Sequence, residues 1–333
     1  DHSFAAQRFG GDKSEYDALR HTGSEVVEGS ATAWAQMITV ARRNLAEPAN
    51  FLALGEWVDL PGLADYMLVN LWGGNDDWAH HNWYATRRRT PGGLWRFHSW
   101  DAEHVLKSLT INRTSINNPN SPTEIYTRLR ASEEFRLLFA DRAHRHFSPG
   151  GPFYVNASRP AWDPERPEDN IPASIWMRRI REIDSAIACE AARWGDTRQP
   201  NDPHTRNRDW LTELNALLTS YFPQRSRIVL DQLRGAGLYP NTPAPVLSPH
   251  GGRITIGTTV EMETPGGGAI WYTIDGTDPR RFGSGDVAPN AREYNAPIEL
   301  SDATVVRARV LREGEWSALA EAVYTLADPA GSV

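Results

Sequence analysis

Asp77 and Asn82 stand five residues apart in Asp77-Trp78-Ala79-His80-His81-Asn82, and a second acid, Asp101, closes the aromatic stretch that follows. An acid, an amide five residues on and then another acid is an order suited to phosphoryl transfer. The first acid handles the proton of an attacking hydroxyl, and the amide and the second acid hold a divalent cation against the phosphates. Taken singly, each residue has an ordinary structural explanation. Asp76 and Asp77 can cap a turn, Asn82 can satisfy backbone, and Asp101 can cap a helix beginning near Glu103. The three together carry more weight because a hairpin joins them.

Residues 82–89 and 94–101 read as aromatic-rich strands on either side of Thr90-Pro91-Gly92-Gly93, a strong turn signal. With those four residues as the loop, Arg89 faces Leu94 and Asn82 faces Asp101. Cross-strand neighbours lie about 4.5–5.5 Å apart at Cβ, so one cation takes an oxygen from each. Asp77 then sits at the same end of the hairpin. The expectation is sensitive to register, because a slip of one residue sends one partner to the other face.

The elements that must carry this hairpin are legible around it. Residues 30–46 read as a helix, with Trp34, Met37, Ile38, Ala41 and Leu45 on one face. Asp59 reads as a helix cap ahead of Pro61, and Gly73-Gly74 ends that helix just before Asp77. Thr123 or Ser121 caps an expected helix over 123–146, whose arginines read as a solvated outer face. Residues 148–173 are proline-rich and irregular. Trp176, Ile180, Ile183, Ile187, Ala191 and Trp194 mark an amphipathic helix stopped by Gly195, and a helical pair covers 206–222 and 224–234. After the linker Tyr239-Pro240-Asn241-Thr242-Pro243-Ala244-Pro245, six or seven short β-rich runs separated by turns predict a β-sandwich. The expected architecture is α+β and multidomain. Residues 1–238 form a helix-rich domain with one short antiparallel hairpin, and residues 243–327 form a sandwich.

Composition narrows the classes. The 333 residues carry a net charge of −7, which argues against broad nucleic-acid binding, and no apolar run is long enough for a membrane span. The single cysteine, Cys189, allows neither an internal disulfide nor a thiolate zinc site and reads as a small buried apolar residue on a helix. No signal peptide is evident in the sequence. Lysine is confined to Lys13 and Lys107. Lys13 is the one candidate to meet a nucleotide, yet Gly10-Gly11-Asp12-Lys13-Ser14 departs from the phosphate-loop frame and reads as a turn. His80 and His81 are adjacent, and in an extended segment they point opposite ways, so a shared metal ion is not expected there. No serine-nucleophile elbow or zinc-hydrolase motif occurs.

The strings 4–13, 75–84, Trp100-Asp101, 135–147 and 188–196 resemble the CotH-like atypical protein kinases over about residues 1–236. The resemblance implies a kinase C-lobe-like fold, Asp77 as catalytic acid, and Asn82 and Asp101 as magnesium ligands. Glu103 stands where a second acid, often Asp, follows the Trp-Asp pair, and is a further candidate metal ligand. It also implies Mg²⁺ or Mn²⁺ and ATP as cofactors, a protein acceptor hydroxyl as substrate, and an extracellular or cell-surface location. The family's nucleotide-binding strands, with their phosphate-binding lysine, precede the segment that opens this chain. The chain then reads either as part of a longer kinase or as a catalytically incomplete remnant serving as a surface or scaffold binding protein. Poor binding of Mg·ATP is expected of these 333 residues alone. The string 270–280 resembles the Fn3-like modules at the ends of chitobiase-type enzymes. That resemblance implies a spacer or stabiliser, with cell-surface carbohydrate as a partner if aromatic rings are exposed. Asp275-Gly276-Thr277-Asp278 reads as a turn.

Overall fold

A computed structural model describes residues 2–21, 25–197 and 199–327. The fold is α+β: a helix-rich part built on one antiparallel sheet is followed by a strand-rich part that forms a β-sandwich. One apolar core runs from Leu19 to Leu238 and a second from Leu247 to Leu326.

The first part opens with α1 (His2–Phe9), then β1 (Tyr16–Arg20), β2 (Glu25–Glu28), α2 (Thr32–Ala41), α3 (Pro48–Gly55) and α4 (Leu60–Gly73). Strands β3 (Trp83–Arg88) and β4 (Arg96–Ser99) follow, in a sheet of order β2-β1-β3-β4. The hairpin of the sequence reading is therefore half of a four-stranded sheet. Strands β1 and β2 give little sequence signal because they are only five and four residues long and their charges, at 17, 20, 25 and 28, break any alternating pattern. Trp83 stacks on Trp34 with ring centroids 5.4 Å apart, and Trp95 meets Trp34 edge-on at 5.2 Å. The other face of the sheet is covered by α1, whose Phe4 and Phe9 lie against His98.

The hairpin register differs from expectation by one residue. Trp83 faces Ser99, Tyr84 faces His98 and Thr86 faces Arg96. The connection, 89–93, is one residue longer than four: Arg89 N–H donates to the Glu15 carbonyl at 2.8 Å instead of pairing with β4, and Gly93 N–H donates to the Thr90 carbonyl at 2.9 Å. Gly93 also lies so close to the Arg88 carbonyl that a Cβ there would sit 2.0 Å from its oxygen.

The expected helix over 123–146 is two helices, α5 (Pro122–Leu129) and α6 (Glu133–Phe147). Ser121 caps the first by accepting from Thr123 N–H, and Ser132 restarts the chain by accepting from Phe135 N–H. Arg142 of the supposed solvated face grips Asp65, with Nε to Oδ1 at 2.7 Å. Helix α7 (Ile171–Trp194) ends at Gly195 as expected, but its apolar face is only partly used. Ile180 is buried, whereas Ile183 and Trp194 are exposed. A 24-residue helix is about 36 Å long, and its second half extends past the core. Cys189 lies on that half and is exposed, not buried. Residues 206–235 run as one helical path in place of the expected pair: a π-turn at Arg206–Trp210 leads into α8 (Leu211–Ala216), and a second at Leu217–Tyr221 joins α8 to α9 (Phe222–Gly235). The second π-turn precedes Pro223, whose missing N–H breaks regular α-helical bonding.

In the strand-rich part, β5 (Val246–Ser248), β7 (Thr258–Glu263) and β10 (Ile298–Leu300) form one sheet. The other contains β6 (Gly252–Ile254), β8 (Ala269–Thr273), β9 (Arg292–Glu293), β11 (Thr304–Arg312), β12 (Glu315–Trp316) and β13 (Ala320–Leu326). Asp275 accepts from both Thr277 N–H and Thr277 Oγ1, so 275–278 is a turn. The larger sheet faces α6. Arg309, 1% exposed, donates from Nη1 and Nη2 to Asp141 of α6 at 2.8 and 2.7 Å and from Nε to Asp278 at 2.8 Å. Burial works against the Arg309 charge, and the carboxylates of Asp141 and Asp278 more than offset it, so its pKa is raised. Arg280 likewise donates to Glu134 and Glu133.

Two enclosed histidines give the fold a pH dependence. Burial, then nearby Arg96 among the positive groups, lowers the His98 pKa to about 4, and burial followed by His250 and Arg309 lowers that of His144 to about 4. Both must stay neutral in the folded state. Their contribution is therefore complete above the unfolded value near 6.5 and is lost as pH falls toward 4, by about 3 kcal/mol each. Urea unfolding at a series of pH values should show this decline between pH 6.5 and 4.5. A flat profile across that window would refute it.

Candidate functional site

The site is built where α4 stops. Asp59 caps the start of α4 by accepting from Gly62 N–H, and Gly74, in the left-handed region at φ 63°, ends it. The next residues are held by buried amides. Asn75 Nδ2 donates to Asn70 Oδ1 at 3.0 Å, and Asn70 Nδ2 donates to Ser99 Oγ of β4 at 3.2 Å. Asn75 Oδ1 in turn accepts from the N–H of Asp77 at 3.2 Å. The end of α4, the end of β4 and the Asp77 loop are thus one hydrogen-bonded unit.

Arg225 of α9 locks this unit from behind. It is fully buried and has no carboxylate partner in its hydrogen-bond set. Instead Nε and Nη2 donate to the carbonyls of Trp72 and Leu71 at 2.8 and 2.7 Å, and Nη1 donates to those of Leu109 and Ile111 at 2.7 and 3.0 Å. A cation at the C-terminus of α4 satisfies carbonyls that the helix leaves open and complements its dipole. The sequence reading did not single out Arg225. A lone arginine in an amphipathic helix carries no signal of the backbone it will meet.

Residues 77–82 form a turn. Trp78 is buried beneath it, and its carbonyl accepts from Asn82 N–H at 2.9 Å. Asp77 is half-buried, with His80 Nε2 and His81 Nε2 at 3.6 and 3.7 Å from its Oδ1. Asn82 is buried and is not opposite Asp101. Its Nδ2 donates to the main-chain carbonyl of Asp77 at 2.8 Å and reaches that of Asp101 at 3.5 Å. The amide therefore ties the two acid-bearing loops together through their backbones, and this leaves its Oδ1 as the atom free of that duty. The geometry expected with Asn82 facing Asp101 across the hairpin is replaced by this bridge.

Asp101 is exposed and left-handed, at φ 52°. A hydrogen bond with Glu103, then repulsion from Glu103 and from Asp77, pushes its carboxyl above the usual carboxylate range. Glu103 and Asp77 also lie close enough, with His104, to hold a common ion. So Asp77 and Glu103 converge with His104, while Asp101 lies beside Glu103 and outside both clusters whose ligand atoms could share one ion; carboxylate oxygens are the donor type that Mg²⁺ and Mn²⁺ prefer. Alongside them, His104 Nδ1 and Lys107 Nζ contact Asp76 Oδ1 at 3.0 and 3.4 Å. Burial raises the Asp76 carboxyl, but these two partners outweigh it and hold it below its ordinary value. Lys107, not Lys13, is the lysine beside the acids. Lys13 precedes β1 at the end where Tyr16 pairs Arg88, so the length of β3, about 17 Å, separates it from the site.

Comparison with known proteins agrees with both parts of the chain. Residues 1–148 match the family model described as CotH kinase protein, a span that includes Asp77, Asn82, Asp101 and Glu103. Residues 249–325 match the one described as chitobiase/beta-hexosaminidase C-terminal domain. No curated protein and no solved structure matches. The chain is thus similar to CotH kinase proteins over its first 148 residues and to the C-terminal domain of chitobiase and β-hexosaminidase near its end.

Proposed function

We propose that this chain supplies the cation-binding half of an atypical protein kinase that moves the γ-phosphoryl group of ATP to a protein hydroxyl. The observation that carries the reading is the convergence of Asp77 and Glu103, close enough with His104 to hold one ion, with the charges of both acids crowding Asp101 alongside. Such crowding is relieved by a divalent cation. In this reading Asp101 and Glu103 hold Mg²⁺ or Mn²⁺ with the Oδ1 of Asn82. Asp77 orients the acceptor hydroxyl and takes its proton. The metal neutralises charge on the transferring phosphoryl group, which is most of such catalysis. The exported location usual for both matched families fits a protein of the cell surface or exterior. No helix among the described residues is long and apolar enough to cross a membrane.

The observation favouring a scaffold instead is Asn82, whose amide nitrogen is committed to backbone. One experiment separates the readings. Mn²⁺ is titrated into the protein with and without ATP, and phosphate transfer to a generic protein acceptor is measured, using this chain and any longer form its gene encodes. The kinase reading expects Mn²⁺ binding that depends on the carboxylates, weak Mg·ATP binding by the 333 residues, and transfer by a form that completes the nucleotide pocket. Absence of Mn²⁺ binding in every form would leave the scaffold reading. Micromolar Mg·ATP binding by this chain alone would show that its own residues complete the pocket.

The match of residues 249–325 to the chitobiase/beta-hexosaminidase C-terminal domain bears on carbohydrate as a partner. Trp271 is half-buried and sits across from Arg309 on the sheet face turned toward α6, so that face is not an open sugar platform.

A further inference from the structure

His80 and His81 do not point apart. The turn from 77 to 82 folds them to one side, with their ring centroids 3.9 Å apart and both Nε2 atoms facing Asp77 Oδ1. The expectation that adjacent residues cannot share an ion assumed an extended segment, but His81 N–H and Asn82 N–H both donate to the Trp78 carbonyl, which makes it a turn. The ligand atoms of Asp77, His80 and His81 all lie within 4.8 Å of one another.

We propose that Asp77, His80 and His81 bind a borderline transition-metal ion of the Zn²⁺ class. Separations of 3.6 and 3.7 Å are too long for hydrogen bonds. They are close to the edge of a tetrahedron around an ion with ligands at 2.0–2.1 Å, which is about 3.4 Å. Three protein ligands with an exposed flank leave a fourth position open, and two imidazoles select Zn²⁺ over Mg²⁺. Trp78 and Ala79, both buried, hold the turn from beneath, and His21 Nδ1 contacts the His81 carbonyl from the side. The donor set is distinct from the neighbouring one of Asp77, Glu103 and His104, with which it shares only Asp77. An ion held by the histidine pair therefore occupies the carboxylate assigned above to the acceptor hydroxyl. Zn²⁺ and phosphoryl transfer compete for Asp77, although binding of the ion itself does not rest on the kinase reading.

The test is competition between the protein and a chromophoric zinc chelator, with Zn²⁺ alone as the probe. One equivalent should bind, and Mg²⁺ in large excess should not displace it. His80→Ala and His81→Ala should each weaken binding by about tenfold or more, and the double variant should abolish it. Glu103→Gln, His104→Ala and Cys189→Ser should leave it unchanged. Unaltered Zn²⁺ uptake in the double variant would overturn the proposal. So would loss in His104→Ala with retention in the histidine-pair variants, which would move the ion to the other set. His80 is exposed, so His80→Ala retains the fold, and circular dichroism on that variant keeps the result interpretable even if the double variant unfolds.

Discussion

Asp101→Asn is expected to lose phosphoryl transfer by about 100-fold or more and to bind Mn²⁺ far more weakly, with no loss of thermal stability. Asn tolerates the left-handed backbone that Asp101 adopts at φ 52°, so the exchange adds no strain. It removes one of three mutually repelling carboxylates. A carboxyl whose folded pKa is raised favours folding when protonated, and that contribution fades as pH rises through its unfolded and then its folded value. The neutral amide copies the protonated state at every pH, so the melting temperature should hold or rise slightly. Cation affinity has the opposite pH dependence. In the parent protein it should weaken as pH falls through the Asp101 pKa, because the proton and the metal compete for one oxygen. Calorimetric Mn²⁺ titrations and thermal melts of both proteins provide the check. Unchanged transfer or Mn²⁺ affinity in Asp101→Asn would remove Asp101 from the site.

Arg225→Met should cost about 3–5 kcal/mol of stability. The change preserves much of the apolar volume but removes the guanidinium donors to the carbonyls of Leu71, Trp72, Leu109 and Ile111, of which Leu71, Trp72 and Ile111 keep a second donor in Gly74 N–H, Tyr221 Oη and Gln232 Nε2. Two of those carbonyls end α4, and two belong to the loop that follows Glu103. Burial lowers the Arg225 pKa, so part of the cost of enclosing its charge is recovered in the variant, which keeps the figure below a full sum of four bonds. Arg225→Lys should recover little, since one ammonium cannot reach both segments as the forked guanidinium does. The loss should also reach the site, because the Asp77 loop and the Glu103 loop are each fastened to this side chain's acceptors. Urea denaturation with a parallel Mn²⁺ titration measures both. A loss below about 1 kcal/mol would show that water serves the carbonyls as well as the arginine does.

The parts of the fold that were legible in the sequence have local causes. The cap at Asp59, the stop at Gly74 and the run of β-rich segments beyond residue 250 each depend on residues a few positions apart. The misreadings depend on distance. The hairpin register turned on one residue of loop length, and nothing in Thr90-Pro91-Gly92-Gly93 specifies that Gly93 will pack on the Arg88 carbonyl. The break at Ser132 was hidden because apolar spacing continues across it into α6. At the candidate site, sequence order brought Asp77, Asn82, Asp101 and Glu103 to attention, but not how Asn82 is used. Its amide nitrogen meets two carbonyls whose positions follow from the fold. The convergence of His80 and His81 was missed because the rule of alternating side chains was applied to a turn. Arg225 and Lys107 could be found only once distant segments were in place.

The paired arginines at the seam between α6 and the larger sheet change what a C-terminal module can do. Arg309 and Arg280 clamp the sandwich to α6 through Asp141, Glu133 and Glu134, and the pairs with Asp141 and Glu134, unlike the one with exposed Glu133, are enclosed enough that salt screens them little. The sandwich is then a bracket and not a leash. A surface gripping residues near 320 would fix the direction in which the Asp77 loop looks, and pulling there would load α6 directly and leave the proline-rich linker slack. Cutting the chain near residue 243 would strip Asp141 and Glu134 of their counter-charges. The helix-rich part released in this way keeps an apolar core of its own and leaves both acids to water.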